Sequence, residues 1–332
     1  MGMDIVLHNV MLLLFVVTCT KALTTYTREG NVSATQSYSL SSSTTSGNTI
    51  SIQNSVIRIS VDLTKGCSLV EFTDLSSGVN TINSYDLGRQ VQASFYGGPV
   101  PYDQCIWNNQ EWPWNPIGSG DTHGNPSTIL GVDQGDDYIA CTIRPKQWAC
   151  DNVDCECTFD LRYTVENNMM HGAVQLNNNR EDNNDYGQFL QELPAVYVNG
   201  FLYRLFGYNG EQPWTFDTLT EWDTNFDGKT WSPGTIYGLS ESFLMFANAD
   251  ATFAVGVYNA NDDIVGFNGG FAGKKGEGGP SDSNTGYIAP VSAADLPGNG
   301  HYNYEYALIM GDMDTVRKSV YSLHDRETQT QR

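Results

Sequence analysis

From Ile50 onward the chain is dominated by short runs in which apolar and polar residues alternate. In Ser55–Asp62 the side chains of Ile57, Ile59 and Val61 share one face, while Val56, Arg58 and Ser60 share the other. That period of two predicts a half-buried strand. Further strands are predicted at Cys67–Thr73, Val91–Tyr96, Asp137–Ile143, Cys157–Val165, Met170–Leu176, Leu193–Val198, Ser242–Phe246, Phe253–Tyr258 and Tyr302–Ile309. In the last of these, Tyr302, Tyr304 and Tyr306 fall on one face and Glu305 on the other. Gly, Asn, Asp and Pro clusters punctuate the runs, and no strand–helix–strand rhythm is visible. One helix is predicted, at the C-terminus, where Met313, Val316, Val320 and Leu323 recur at helical spacing behind Asp312 or Asp314 as N-cap. The pattern predicts an all-β fold, a large antiparallel β-sandwich with a short C-terminal helix.

The ends of the chain read differently. Residues 1–22 contain the apolar run Val10–Val17, too short for the ~20 residues a membrane span needs, followed by small and polar residues. This segment is expected to be a signal peptide, giving a secreted, extracellular product with no membrane attachment after cleavage. Residues 23–49 are Ser/Thr-rich and are expected to form a flexible leader, with an N-glycosylation acceptor at Asn31. Residues 50–325 are expected to form one β-domain, with 326–332 as a polar tail, and Lys274–Asn284 reads as a mobile loop.

Composition narrows the partners. The 332 residues carry 17 Lys+Arg against 38 Asp+Glu, a formal charge of −21. Such acidity argues against nucleic acid and anionic membranes, whose phosphates are bound by Lys/Arg clusters. Aromatic residues reach 12%, so a packed core is expected rather than acidic disorder. Beyond Cys19 in the leading segment, the cysteines are Cys67, Cys105, Cys141, Cys150, Cys155 and Cys157. An even set in an oxidising compartment suggests three disulfides, with connectivity left open.

Four segments carry candidate chemistry. In Asn83–Gln90, Asp86 and Arg89 flank Gly88 at a spacing that lets a carboxylate and a guanidinium meet and hold a polyhydroxylated ligand. The stretch Trp107–Asn125 places Trp107, Trp112 and Trp114 among Pro, Asn and Glu residues. Exposed indoles beside polar groups such as Asn115 suit a sugar ring, with an apolar face to stack on and partners for hydroxyls. Asp121 and His123 add a candidate acid/base pair. In Tyr186–Tyr197, Glu192 stands among apolar neighbours that would raise its pKa on burial. Glu241 is similarly placed beside Phe243, and two carboxylates are the minimum for glycoside hydrolysis. The fourth segment is Gly286–Pro290 together with His301–Tyr306. Asp223, Asn225 and Asp227 copy the first half of a calcium loop without its twelfth-position acid, so Ca²⁺ enters as a candidate and no other cofactor is implied.

Asn83–Arg89, Trp112–Asn125, Gln191–Tyr197 and Gly286–Pro290 together resemble segments of secreted bacterial proteins with a galactose-mutarotase-like β-super-sandwich of carbohydrate-active type. The resemblance implies an antiparallel super-sandwich whose concave sheet face binds an oligo- or polysaccharide. Combined with the residues above, the expectation is a carbohydrate-active enzyme cleaving a glycosidic bond. Glu192 would act as general acid, with Glu241 or Asp121 as base or nucleophile. A lectin-like binding protein and a polysaccharide lyase are the alternatives.

Overall fold

The computed structural model describes residues 41–182, 184–224, 233–261 and 263–330. The expected signal peptide, most of the leader with Asn31, and the calcium candidates Asn225 and Asp227 lie outside these residues. The described chain forms one compact unit. Its strands assemble into two large antiparallel sheets, one of twelve strands and one of nine, with a two-stranded hairpin at Ile106–Trp107 and Gln110–Glu111. The predicted antiparallel sandwich is therefore what the chain builds.

The central strands of the larger sheet run in the order Ser68–Asp74, Val91–Ser94, Phe189–Asn199, Thr285–Ala294 and Ile264–Ala272. Those of the smaller sheet run Tyr138–Arg144, Cys157–Glu166, Met169–Asn178, Gly300–Gly311 and Ala254–Tyr258. Alternation decides which side chains fill the space between the sheets. Ile57, Ile59 and Val61 enter it from one sheet, and Phe159, Leu161 and Tyr163 from the other. The tyrosine stripe follows the same rule: Tyr304 and Tyr306 are buried in the core, and Glu305 projects to solvent.

The helix runs from Met313 to Thr330, so residues expected to be a tail continue it. Asp312 caps it, its carboxylate accepting from Thr315 N at 2.6 Å. Val316, Val320 and Leu323 bury against Met169, Phe243, Met245 and Ile309 on the outer face of the smaller sheet. At the other end the sheet begins earlier than expected: Ser42–Ser46 pairs with Thr49–Gln53, adding an edge strand inside the expected leader. The loop around residues 274–284, expected to be mobile, is fastened. Asn83 Nδ2 donates to Asp282 O at 2.8 Å, Arg89 Nη1 to Ser283 O at 2.8 Å, and Gly276 N to Gly200 O at 2.9 Å. Disulfides join Cys67 to Cys141, Cys105 to Cys150 and Cys155 to Cys157.

Candidate functional site

The outer face of the larger sheet carries a cluster drawn from three strands. Glu192 lies opposite Ser94 on one neighbouring strand and Val291 on the other, and Tyr197 lies opposite Tyr287. Leu193, Val196 and Val198 point into the core, so Glu192, Ala195 and Tyr197 point out. A bulge between Glu192 and Val196, at Leu193-Pro194, keeps both sets correctly aimed despite the odd spacing of Glu192 and Ala195. The Tyr96 hydroxyl donates to Glu192 Oε2 at 3.1 Å, and the Tyr287 hydroxyl donates to Oε1. Tyr197 and Tyr287 pack with ring centroids 5.1 Å apart.

This setting moves protons. Burial pushes the Glu192 carboxyl above its ordinary range, and the hydrogen bonds from Tyr287, Tyr96 and Ser94 only partly offset that. Burial also drives the Tyr96, Tyr197 and Tyr287 hydroxyls upward, reinforced by the neighbouring Glu192, so they stay protonated as donors.

Beside the cluster, the turn bearing Asp86 and Arg89 is hung on Tyr197. Asn83 N donates to Tyr197 O and Tyr197 N donates to Gln90 O, both at 2.9 Å. Arg89 Nε lies 3.6 Å from Asp86 Oδ2. Both charges lie near enough to bear on the Tyr197 hydroxyl. The structure thus brings together the first segment, the third and the Gly286–Pro290 part of the fourth.

The tryptophans divide. Trp107 and Trp112 are half-buried and meet edge to face with centroids 4.8 Å apart. Trp114, expected to be an open platform, has 0% exposure and packs in the main core, so the assignment is corrected. Asn115 is equally buried. Its Nδ2 donates to Phe95 O at 2.6 Å and its Oδ1 accepts from Trp112 Nε1 at 2.9 Å, so it is committed within the protein rather than facing a ligand. Trp148, which the sequence reading passed over, stands edge-on to Trp107 at 5.9 Å.

Three expected acid/base residues have other partners. Asp121 is buried and accepts from His123 N, Asn125 N, Asn125 Nδ2 and Asn152 N. Burial alone would raise its pKa, but those donors hold it below the ordinary carboxylate range, which makes it a poor base. His123, expected as its catalytic partner, points Nδ1 at Thr122 Oγ1, 3.2 Å away. Asp121, His123 and Asp151 each bring one ligand atom within 4.8 Å of the others, a spacing a metal ion accepts, but the Asp121 oxygens are already committed to N–H groups. Glu241, also buried, accepts from Arg317 Nη2 at 2.8 Å and from the Tyr321 hydroxyl at 2.7 Å. It lies under the helix, on the smaller sheet's outer side, so it does not converge with Glu192. The pairing of Glu192 with Glu241 or Asp121 is therefore withdrawn. Of the calcium candidates only Asp223 is described; it lies 3.7 Å from Lys275 Nζ.

Sheet and site define a two-layer antiparallel sandwich with an aromatic-lined acid on the outer face of its larger sheet. No family model matches the chain, and no curated protein matches it. Among solved structures it is similar to a galactose mutarotase related enzyme from Lactobacillus acidophilus, at 10% identity and a TM-score of 0.48, over 80% of this chain and 98% of that one. It is also similar to a galactose mutarotase-like protein from Lactobacillus casei, at 10% identity and a TM-score of 0.46, over 79% and 99%. A third is the 4-alpha-glucanotransferase from Thermococcus litoralis, at 8% identity and a TM-score of 0.41, over 80% and 37%. At these scores nothing about chemistry is carried across.

Proposed function

We propose that the protein is an extracellular carbohydrate-active enzyme that cleaves a glycosidic bond on the outer face of the larger sheet, with Glu192 as the acid. The observation that carries this reading is the Glu192 carboxyl, raised in pKa by burial and contacted by phenolic hydroxyls rather than by a cation. A carboxyl group with a raised pKa is what protonating a leaving-group oxygen demands. Asp86 takes the second carboxylate's part in this reading, in place of Glu241 and Asp121. Glu192 gives its proton to the glycosidic oxygen as the C–O bond breaks. Water adds to the anomeric carbon, and Asp86 accepts the water's proton. Arg89 and the tyrosine hydroxyls supply donors to sugar oxygens, and the rings of Tyr197, Trp107 and Trp112 supply apolar faces. The three disulfides support the extracellular compartment.

A second reading, binding without turnover, draws support from a specific fact: both Glu192 oxygens already accept a tyrosine hydroxyl. Incubation with a panel of plant, algal and animal glycans, followed by assay of reducing ends, separates the two. The expected result is release by the wild type, with Glu192→Gln and Asp86→Asn each lowering turnover by about 10²–10⁴-fold while binding persists. Glycan binding with no product would establish the binding reading, and failure to bind any glycan would remove both.

A further inference from the structure

We propose that Trp148 carries a second sugar of the ligand whose reacting unit sits at Glu192, so that the site takes a chain rather than a single sugar. This inference rests on the saccharide reading above and adds to it a ligand length and the residue that measures it.

Trp148 is positioned more firmly than a surface indole needs to be. Its backbone N–H donates to Asn115 O at 2.9 Å and its backbone carbonyl accepts from Thr122 N at 3.0 Å. The neighbouring Ala149 and Cys150 are buried in a small cluster with Cys105, against which Trp107 and Trp112 pack. The Cys105–Cys150 disulfide therefore ties the Trp107 hairpin to the Trp148 loop. Trp112, Trp107 and Trp148 follow one another edge to face, and all three stay half-buried. Together they form a ridge of half-buried indoles braced by that disulfide.

Gly88 shows where the ridge points. A Cβ there would come within 2.5 Å of Trp148 Cη2 and 3.2 Å of Cζ2, so the far edge of the indole lies across the glycine. Gly88 does not adopt a left-handed φ, so its backbone makes no demand for glycine. The missing side chain serves the indole. Gly88 belongs to the Asp86–Arg89 turn, and its carbonyl accepts from Gln92 Nε2 at 3.1 Å. Gln92 is two residues from Ser94, on the same outer face, and Ser94 lies opposite Glu192. A two-residue strand step, about 7 Å, together with the Gln92–Gly88 and Gly88–Trp148 contacts, separates Trp148 from the strand position opposite Glu192. One sugar ring cannot touch both, whereas a short oligosaccharide lying past Arg89 reaches from one to the other.

The test is calorimetric titration of the mature protein with β-1,3- and β-1,4-linked glucose oligomers from monomer to hexamer, following indole fluorescence in parallel. The wild type is expected to bind the hexamer at least about tenfold more tightly than the monomer, with a change in fluorescence. Trp148→Ala is expected to lose that length dependence, and Trp148→Phe to restore part of it. Gly88→Ala keeps every aromatic ring but puts a methyl group into the Trp148 edge, and is expected to lose the length dependence as well. Thermal melts identify any variant that fails to fold, and Trp148→Phe and Gly88→Ala then carry the test. Equal affinity for monomer and hexamer, or an unchanged length dependence in folded Trp148→Ala, overturns the inference and leaves the saccharide reading standing. Absence of binding by the wild type to these oligomers and to the wider glycan panel overturns the saccharide reading, and this inference with it.

Discussion

Glu241 offers the sharpest separation of structural from catalytic carboxylates. Its side chain is 0% exposed and that of Arg317 5%. The guanidinium meets the carboxylate as a fork, Nη2 to Oε1 at 2.8 Å and Nε to Oε2 at 3.1 Å. Trp214 N and the Tyr321 hydroxyl complete the carboxylate's partners at 2.9 and 2.7 Å. The Arg317 guanidinium is also surrounded by the rings of Tyr208, Tyr321 and Phe216, at 5.1, 5.4 and 5.6 Å. Glu241→Gln keeps the shape but leaves this cation buried without its counter-charge, and Arg317→Met leaves the carboxylate in the same position. Each single change should cost about 3–5 kcal/mol, because an unpaired buried charge is left behind. That is a large share of the roughly 5–15 kcal/mol a domain has available. The double change Glu241→Met with Arg317→Met should recover most of the loss, since an apolar pair of similar volume carries no desolvation cost. Urea melts give the numbers, as a shift in midpoint at constant slope. The pair lies on the far side of the sandwich from Glu192, so under the proposed function the folded fraction of each variant should match the wild type in the glycan assay. A Glu241→Gln protein that melts within about 1 kcal/mol of wild type yet has lost turnover would refute the structural assignment and return Glu241 to the chemistry.

Two further outcomes follow from the same structure. The folded-state pKa of Glu192 lies above the ordinary value of 4.5, so its contribution to stability is full below that pH and is lost as pH rises through the folded value. Urea melts across pH should show that loss in the wild type and not in Glu192→Gln; parallel curves would contradict the raised pKa. Trp114→Ala should destabilise by about 3–5 kcal/mol as a cavity in the core, whereas Trp107→Ala should act mainly on glycan affinity, and melts and titrations on the two proteins distinguish these effects.

The fold was legible where one sheet face is buried and the other wet. Ile57, Ile59 and Val61 alternate with polar neighbours, and they enter the core as that pattern predicts. The helix was legible because Val316, Val320 and Leu323 repeat at its period. What escaped notice are strands with no such contrast. Thr285–Ala294 is buried on nearly every residue and Ile264–Ala272 carries three glycines, so neither shows the alternation that marks a strand, and neither is among the predicted ones. Disulfide connectivity was closed to sequence for a similar reason, since pairing depends on a sandwich not yet built. Trp112 and Trp114 show the limit at a single loop. They are two residues apart and separated by Pro113, yet one is half-buried and the other sealed. Tyr96, Tyr197 and Tyr287 become neighbours only through strand register, and no local spacing announces them.

The fates of three carboxylates show why apolar company in the sequence is not enough to identify an acid. Glu192 and Glu241 sit among similar neighbours in sequence, and Asp121 follows the stretch that carries Trp107, Trp112 and Trp114. Asp121 is surrounded by N–H donors from its own turn and from Asn152, groups that stabilise the anion and cannot accept its proton. Glu241 faces a guanidinium 76 residues further along the chain, which supplies a full counter-charge. The Glu192 oxygens accept from the Tyr96 and Tyr287 hydroxyls, which both donate and accept and so can stabilise its protonated form as well as its anion. Burial acts against the charged form and outweighs these hydrogen bonds. What each carboxyl meets is thus set by the partners that the fold brings to its oxygens, and burial raises the Glu192 pKa where the N–H donors around Asp121 lower its own.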